Sequence, residues 1–377
     1  MTLLASLITP ACIIDESKLR ANAKRMQEKC ARENLILRPH VKTLKSLQAA
    51  EIYAPAPSPI TVSTLAEARY FASAGYSDIL YAVGISPNKV KAINELLSAD
   101  VGLTVIVDSM AGAKALTEVA PQLDGSLRVA VEVDVDNQRA GINPNASTLV
   151  EIARLLSDTR KLQFKGLMAH AGASYQCFSQ EAKDKMAQQE CEQINVAVAS
   201  LAKAGISCEM VSVGSTPTAL ADISHEGITE LRAGVYATFD CVMAGINLCE
   251  YTDIALSVLT SVIGHQQEKG WVLIDAGWMA LSRDKGTTGQ KKDCGYGLVC
   301  DIHGNLLPGW YVSQTNQEHG VIAHVDGRSP MEDVFSYGSM LRILPIHACA
   351  TASQFAQYHV TRDNHSVSAQ WSRIHGW

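Results

Sequence analysis

Several features that mark common protein classes are missing from this sequence of 377 residues. It has no run dense in Lys and Arg, and its formal net charge is −6, so no basic face for nucleic acid is expected. No uninterrupted apolar run reaches the roughly 18 residues of a membrane-spanning helix. The first ten residues are apolar but lack the basic segment of a secretory signal. We therefore expect a soluble, cytoplasmic protein that binds a small molecule rather than a nucleic acid or a membrane.

Motifs of common nucleotide and hydrolase sites are also absent. The sequence contains no P-loop, no GxSxG and no CxxC pair, and no GxGxxG turn follows its first predicted strand. Its ten cysteines are scattered, which in a chain of this length indicates free thiols in a reducing compartment. With 47% hydrophobic and 19% charged residues, the chain has the composition of an ordinary globular protein. The length suggests two domains or one large one.

Up to about residue 240, short apolar runs alternate with amphipathic stretches. The runs predict buried parallel strands at 36–41, 60–63, 78–82, 103–108, 128–135, 164–170, 209–213 and 231–235. The amphipathic stretches predict helices at 65–74, 90–97, 113–119 and 180–204, and the last has Lys, Gln and Glu on its polar face. This alternation predicts an α/β fold, a (β/α)8 TIM-type barrel, with an open doubly wound sheet as the alternative.

The remainder has a different pattern. Strand-like runs at 254–262, 271–274, 309–312, 320–324 and 340–345 are separated by Gly, Asp and Asn, and helical periodicity is nearly absent. This pattern predicts a C-terminal antiparallel β domain. The predicted domains are therefore a barrel at 1–240 and a β domain at 241–377, and the first 15 residues or so are compatible with packing against the second.

The first predicted strand ends in the sequence RPHVKT, residues 38–43. Barrel enzymes place their chemistry at the C-terminal ends of the strands. A lysine there, Lys42, becomes a nucleophilic amine if burial lowers its pKa. The alternative is a solvated surface lysine, because lysines are mostly exposed.

An anion pocket is predicted after the seventh and eighth strands, where barrels often bind phosphate. The sequence VGSTPT, residues 213–218, offers a glycine, two hydroxyls and the first N–H groups of a helix predicted at 218–223. The sequence ELRAGVY, residues 230–236, can close the same pocket. A simple Ser/Thr cap before a proline is the alternative for the first segment.

His347 and Cys349 are candidate metal ligands, although an isolated H-x-C pattern is more typical of structural residues. Residues i and i+2 of a strand face the same side, so the two side chains can bind one metal ion. A thiolate ligand favours Zn²⁺ over Mn²⁺. A core histidine and a buried free cysteine are the alternative. Arg139 and His170 follow the fifth and sixth strands, where they can contact a phenolate and a ring, although each alone is more typical of a structural residue.

Read together, these segments resemble the fold-type III pyridoxal-phosphate (PLP) enzymes, and within them the D-serine dehydratase and D-threonine aldolase family. The resemblance covers both predicted domains and implies an alanine racemase-like barrel. The matching segments are TPA at 9–11, RPHVKT at 38–43, GSTP at 214–217, DAGW at 275–278, EHG at 318–320, PIHACAT at 345–351 and the ending from Trp371 to GW at 376–377.

The resemblance also implies residue roles. Lys42 would bind PLP covalently and take the α-proton of the substrate, with His40 beside it. By looser analogy with alanine racemases, Arg139 would face the phenolic oxygen of PLP, and Arg232 its pyridine nitrogen or phosphate. Metal ligands would be His347 and Cys349. The remaining implied cofactor contacts are His170, Tyr175, Gly214, Ser215, Thr216, Gly234, Val235 and Tyr236.

The implied reaction is a metal-assisted lyase reaction on a D-3-hydroxy amino acid, namely D-serine to pyruvate and ammonia. PLP would serve as electron sink, and the metal as a Lewis acid at the β-hydroxyl. The alternatives are D-threonine aldolase-type cleavage, amino acid racemisation and a non-enzymatic PLP-binding protein. Leu44 and Ala173 stand where the family commonly has histidine, which affects the acid–base assignment. The fold type further implies a homodimer.

Overall fold

The computed structural model describes residues 2–377; Met1, the first residue of the predicted domain 1–240, lies outside them. The chain divides into two compact units. The barrel unit consists of Arg25–Lys42, Tyr53–Gly234 and Gly376–Trp377, and the sheet unit consists of the residues up to Lys24, Thr43–Ile52 and Val235–His375. Two of the predicted cofactor segments are therefore divided between the units, one after Lys42 and the other after Gly234.

The barrel unit contains one parallel sheet of eight strands. The chain starts with β1 (Thr2–Leu3), β2 (Ala11–Asp15) and helix α1 (Glu16–Arg32), and the barrel strands are β3 (Ile36–Leu37), β4 (Ile60–Val62), β5 (Asp78–Gly84), β6 (Gly102–Val107), β7 (Leu127–Val133), β8 (Leu162–Ala169), β9 (Met210–Val213) and β10 (Glu230–Leu231). They pair in sequence order from β4 to β10, and β10 pairs with β3. A parallel bridge between His40 and Thr61 joins the two remaining edges, so the ring closes. The predicted (β/α)8 barrel is confirmed.

Helices follow the barrel strands as the sequence predicts. They are α2 (Leu47–Tyr53), α3 (Leu65–Ala72), α4 (Val90–Ser98), α5 (Met110–Val119), α6 (Thr148–Asp158), α7 (Gln180–Lys203) and α8 (Thr216–Ala219). The N-termini of α3, α5 and α7 are capped by the hydroxyls of Thr64, Ser109 and Ser179, each of which accepts a backbone N–H of the first turn. The bounds predicted for the helix at 218–223 are wrong. Helix α8 begins at Thr216, because Ser215 caps it.

The sheet unit contains a nine-stranded sheet. Its further strands are β11 (Leu256–Gln266), β12 (Trp271–Ile274), β13 (Leu298–Asp301), β14 (Leu306–Thr315), β15 (Gly320–His324), β16 (Met340–Leu344), β17 (Gln357–Thr361), β18 (Ser366–Val367) and β19 (Ala369–Ser372). The order is β12-β15-β14-β13-β16-β11-β2-β17-β19, and β12 also pairs with β11, so six strands form a closed ring. All pairs are antiparallel except β2–β17, because β2 comes from the N-terminal segment. β1 pairs with β18 in a separate two-stranded sheet.

Trp310 and Phe335 pack in the core of this unit, with ring centroids 4.6 Å apart. The predicted antiparallel β domain is confirmed, and the lack of helical periodicity in its sequence agrees with the shortness of its helices. Three short helices occur, α9 (Cys241–Gly245), α10 (Trp278–Leu281) and α11 (Ala348–Ala352), each too short to show helical periodicity. The 3-10 segments of the chain are Leu4–Ser6, Pro87–Lys89, Ala120–Gln122, Gly172–Gln176, Val235–Ala237, Tyr251–Asp253 and Gln267–Lys269.

None of the helices in residues 2–377 combines the length and the apolar character that a membrane crossing requires.

Candidate active site

Lys42 lies just beyond the bridge that closes the barrel. The backbone N–H of Lys42 donates to Nδ1 of His40 at 3.4 Å, so the histidine is folded back against the backbone of the lysine. A side chain at position 234 would fill the space beside both residues: a Cβ on Gly234 would lie 3.3 Å from Cβ of His40 and 3.9 Å from Cε of Lys42. The glycine therefore keeps space open next to the lysine side chain.

Arg232 and His170 lie at the same end of the barrel. The buried guanidinium of Arg232 donates to Oγ of Ser212 at 2.8 Å and to the carbonyl of Ala169. Nδ1 of His170 donates to the carbonyl of Gly214 at 3.1 Å, since a carbonyl oxygen can only accept. In the neutral ring Nε2 of His170 is therefore unprotonated and available as an acceptor.

The pKa values show that these basic groups act on one another. Burial, followed by the charge of Arg232, lowers the pKa of His170 to about 4, and Arg139 and Lys42 act in the same direction. The pKa of His40 lies well below its ordinary value because of burial and then the charges of Lys42 and Arg232. Both imidazoles are therefore neutral at pH 7. We call His40, Lys42, Arg139, His170 and Arg232 the cationic cluster; its positive charge comes from the lysine and the two arginines and not from the neutral imidazoles, and it suits an anionic ligand even though Glu190, Glu230 and Glu132 also act on Arg232.

The loop of residues 214–216, part of the predicted anion pocket, is buried and conformationally constrained. We call it the phosphate loop. Gly214 has a φ of +126°, and a Cβ there would lie 2.3 Å from the carbonyl oxygen of Arg232, so only glycine fits. Ser215 and Thr218 form a reciprocal capping box. Oγ1 of Thr216 is buried and has no hydrogen-bond partner within residues 2–377. Because an unpaired buried hydroxyl costs free energy, Thr216 fits a ligand that brings its own acceptor oxygens, such as a phosphate.

Sequence reasoning missed one buried carboxyl at this loop. Glu190 was assigned to the polar face of α7, yet it is only 1% exposed. Its Oε1 accepts the backbone N–H groups of Ala171 at 3.0 Å and Gly214 at 3.2 Å. Burial raises its pKa. No motif marks Glu190 in the sequence, because a glutamate in an amphipathic helix is ordinarily solvated.

The remaining residues predicted to contact the cofactor are Arg139, Tyr175, Val235 and Tyr236. Arg139 is largely exposed and pairs with Glu132, with Nη2 and Oε1 3.3 Å apart. The ring of Tyr175 lies 6.2 Å from that of His170. Val235 and Tyr236 are buried at the start of a 3-10 segment of the sheet unit. Their contacts with PLP stay predictions.

Leu44 and Ala173 stand where the family commonly has histidine, and both form backbone hydrogen bonds. Leu44 is buried, and its carbonyl accepts the hydroxyl of Tyr358 at 2.8 Å. The backbone N–H of Ala173 donates to the carboxylate of Asp136 at 2.8 Å. Neither side chain can transfer a proton, so any acid–base role belongs to other residues.

His347 and Cys349 are close together, but the reason predicted for it is wrong. Strand β16 ends at Leu344, His347 is the N-cap of α11, and Cys349 lies in that helix. The two side chains nevertheless hydrogen-bond each other, and this bond is the main cause that raises the pKa of His347 to about 10, against the effect of burial. The turn into α11, and not the alternation of a strand, brings the imidazole and the thiol together.

Three residues that sequence reasoning did not assign hold this pair. Nδ1 of His347 donates to Oδ2 of Asp284 at 2.5 Å, which leaves Nε2 as the nitrogen available to a metal. Sγ of Cys349 lies 3.1 Å from Oγ1 of Thr43. Buried Asp240 accepts the backbone N–H of Ala348, which lies between His347 and Cys349, at 2.9 Å. Thr43 belongs to a motif that the sequence singled out, whereas Asp240 and Asp284 carry no signal.

The donor set suits a metal with few protein ligands. An imidazole nitrogen and a thiolate are the ligands that Zn²⁺ prefers, and a catalytic site keeps positions open for water or substrate. Across residues 2–377 no group of three or more His, Cys, Asp or Glu side chains is arranged to hold a metal. The residues present therefore fit an open site with two protein donors and not a closed structural site.

These features define the class of PLP-binding barrel enzymes. They are a closed parallel barrel, a lysine after its first strand, the cationic cluster and the phosphate loop. Two family models match the chain: "Alanine racemase, N-terminal domain" over residues 14–241 and "Putative serine dehydratase domain" over residues 255–361. The chain belongs to the fold-type III PLP enzymes that combine these two domains. This family is PLP-dependent and metal-associated, its characterised members are lyases, and this chain is a PLP-dependent lyase.

Curated relatives extend over nearly the whole chain. The D-threo-3-hydroxyaspartate dehydratase of Delftia sp. (strain HT23) is 45% identical over 99% of each chain. The D-serine dehydratase of Dictyostelium discoideum is 29% identical and covers 96% of this chain and 95% of its own. The D-threonine aldolase of Arthrobacter sp. is 28% identical over 96% of this chain and 90% of its own.

Solved structures agree with the fold. The Delftia dehydratase matches with a TM-score of 0.96 at 44% identity, with both chains covered completely. Solved structures of a D-threo-3-hydroxyaspartate dehydratase also include a cysteine-to-alanine variant in a metal-free form and a histidine-to-alanine variant. An alanine racemase of Clostridium difficile matches with a TM-score of 0.68 at 14% identity, covering 97% of this chain and 99% of its own, which supports the alanine racemase-like fold alone.

Proposed function

We propose that the protein dehydrates D-3-hydroxy amino acids with PLP and a divalent metal, releasing a 2-oxo acid and ammonia. The observation that carries this proposal is the cationic cluster at the end of the barrel, next to a buried threonine hydroxyl that lacks a partner. Such a site suits the phosphate of PLP. Dehydration rather than another PLP reaction is supported by the relative that is 45% identical, a dehydratase.

PLP would supply the electron sink that makes the α-proton of the substrate acidic. Lys42 would attach the cofactor through Nζ and move the α-proton, because it is the lysine next to the glycine-lined space. The hydroxyls of Ser215 and Thr216 would bind the phosphate, with Arg232 supplying buried positive charge. His40 and His170, held neutral, would add hydrogen bonds without repelling these cations.

His347 and Cys349 are the proposed metal ligands. Among the solved variants of a D-threo-3-hydroxyaspartate dehydratase, the replaced histidine lies two positions before the replaced cysteine, the spacing of His347 and Cys349. The metal would polarise the β-hydroxyl and make it a better leaving group. We propose Zn²⁺ rather than Mn²⁺ because one ligand is a thiolate.

The substrate is proposed at the level of its class. The sequence resemblance favours D-serine, which would yield pyruvate, and the relative that is 45% identical favours D-threo-3-hydroxyaspartate, which would yield oxaloacetate. Both carry a leaving hydroxyl on the β-carbon of a D-amino acid. We propose that D-threo-3-hydroxyaspartate is turned over with the larger kcat/KM.

Borohydride reduction of the purified protein tests the cofactor assignment. Peptide mapping after reduction should locate one pyridoxyl group on Lys42. The Lys45→Ala variant, which changes a neighbouring lysine, should give the same adduct. An adduct on another lysine, or none, would exclude the proposed role of Lys42.

A product assay with three D-amino acids tests the reaction. D-Serine and D-threo-3-hydroxyaspartate should release ammonia and their 2-oxo acids, and a chelator should abolish this release. Glycine and acetaldehyde from D-threonine would indicate aldolase chemistry instead, and interconversion of D- and L-forms would indicate a racemase. The His347→Ala variant should lose bound metal, measured by inductively coupled plasma mass spectrometry, and keep the Lys42 adduct.

We also propose that residues 1–240 bind the cofactor, that residues 241–377 bind the metal, and that the protein is a cytoplasmic homodimer. The family models support the first division, since one ends at residue 241 and the other begins at residue 255. Light scattering coupled to size exclusion should give a mass near twice the chain mass of 40.6 kDa.

A further inference from the structure

Glu190 occupies a position that its place in the sequence does not explain. It is the eleventh residue of a 24-residue helix, α7, and its side chain points into the barrel unit and not into solvent. Carboxyl groups are rarely buried unless hydrogen bonds compensate for the lost hydration. Here two backbone N–H groups, from the loops at the ends of β8 and β9, and the side chain of Thr218 donate to the Glu190 carboxyl.

One carboxyl oxygen joins these two loops. Oε1 accepts from Ala171, the residue after His170, and from Gly214, the first residue of the phosphate loop. The same loops are joined a second time, because Nδ1 of His170 donates to the carbonyl of Gly214. Both backbone groups of Gly214 are thus fixed, its N–H by Glu190 and its C=O by His170.

A third link lies one residue further along. Oγ of Ser174 is 2.8 Å from Oγ of Ser215, and both residues are buried. Ser215 is itself locked in the capping box with Thr218, whose side chain also hydrogen-bonds Glu190. The residue between Ser215 and Pro217 is Thr216, whose buried hydroxyl has no partner within the described chain. These hydrogen bonds therefore surround a hydroxyl that is left for a ligand.

We infer that Glu190 is a positioning residue for the cofactor phosphate: it holds the loop of Gly214, Ser215 and Thr216 in the conformation that binds the phosphate group before PLP arrives. This inference rests on the proposed function of the barrel end as a PLP site. Glu190 acts through the backbone of the loop. Its removal leaves two buried N–H groups unsatisfied and frees the loop.

Comparison of PLP with pyridoxal, which lacks the phosphate, tests this role. The dissociation constants of both are measured by absorbance or fluorescence on the full-length apo-protein. Glu190→Leu should weaken PLP binding by about tenfold and pyridoxal binding by about twofold at most, so that the PLP-to-pyridoxal affinity ratio falls about fivefold or more. Glu190→Gln keeps an acceptor oxygen at the same place and should keep the ratio within about twofold.

Two further variants control for general damage. Glu192→Leu makes the same change on an exposed residue of α7 and should leave the ratio unaltered. Ser174→Ala removes the third link and should lower the ratio about threefold. If Glu190→Leu does not fold, judged by circular dichroism and thermal unfolding, Ser174→Ala and Glu190→Gln carry the test.

An unchanged ratio in Glu190→Leu and Ser174→Ala, or an equal loss for PLP and pyridoxal, would overturn the inference. So would a Glu190→Gln variant that behaves like Glu190→Leu, because the role would then depend on charge and not on the acceptor. Failure of the proposed function is a separate result: the unaltered protein would then form no pyridoxyl adduct at Lys42 and would not prefer PLP to pyridoxal.

Discussion

The barrel end and the turn before α11 shift the pKa values of their histidines in opposite directions. Burial, and then neighbouring arginine and lysine side chains, lower the pKa values of His40 and His170. His347 lies beside a thiol and two carboxyl groups, and its pKa rises to about 10. In the first environment, lysine and arginine side chains act on the imidazoles and keep them neutral, although carboxyl groups also act on Arg232; in the second, a thiol and two carboxyl groups act on the imidazole. The contrast supports the proposed phosphate site in the barrel unit and the proposed metal site in the sheet unit.

The two regions also differ in how they are held. The phosphate loop is fixed by backbone hydrogen bonds to a buried carboxyl and by a capping box. His347 and Cys349 are held by a short helix and by side-chain partners, namely Asp284 for His347 and Thr43 for Cys349. The following predictions test these differences.

The largest expected effect is at Lys42. Lys42→Ala should reduce kcat/KM by about 10³-fold or more, because both covalent attachment and proton transfer are lost. Lys42→Arg keeps the positive charge without the reactive amine, so it should lose activity equally but retain more non-covalent PLP. Metal content, measured by inductively coupled plasma mass spectrometry, should be unchanged in both Lys42 variants. A loss of metal would show that the two sites are not independent.

A smaller effect is expected in the pH dependence of apo-protein stability. The pKa of His170 is about 4 in the folded protein, against 6.5 for an ordinary histidine, so the unfolded chain binds more protons between these values. Stability is therefore lost as pH falls from about 6.5 towards 4. His170→Asn, which keeps a donor to Gly214, should reduce this loss by up to about 3 kcal/mol in urea unfolding. His365→Asn, at an exposed histidine, is the control; equal slopes would contradict the prediction.

The carboxyl partner of His347 should affect metal binding and not cofactor binding. Asp284→Asn weakens the hydrogen bond that orients the imidazole, so we expect metal affinity to fall about ten- to hundredfold in a chelator competition assay. Asp326 is a matched control, since its carboxylate lies 3.9 Å from Nδ1 of His324 but no metal site is proposed there. If PLP affinity fell in Asp284→Asn, the assignment of Asp284 to the metal pair alone would be incorrect.

The smallest effect is expected at Thr43. Thr43→Val keeps the shape of the side chain and removes the hydroxyl beside Cys349, and Thr43→Ser keeps the hydroxyl. In the Co²⁺-substituted protein, the sulfur-to-metal charge-transfer band should move to lower energy in Thr43→Val alone, and metal affinity should fall about threefold. An unshifted band would mean that the hydroxyl does not donate to the thiolate.

Much of the fold could be predicted because its signal is local. Each of the eight barrel strands is a short apolar run, and the parallel pairing follows from the helices between them. The phosphate loop was also visible, because Gly214, Ser215 and Thr216 carry the residue types that the turn requires. The N-terminal β2 was not predicted as a strand between β11 and β17, since its partners lie more than 200 residues away.

The sequence by itself determined the barrel, the position of Lys42 after the first strand and the pairing of His347 with Cys349. It did so because apolar periodicity and short motifs depend only on neighbouring residues. The tertiary structure alone decided that Glu190 is buried against the phosphate loop, that Asp284 binds His347 and that Thr43 contacts Cys349. These contacts join residues between 24 and 306 positions apart, and a polar side chain carries no local sign of whether it meets water or a distant partner.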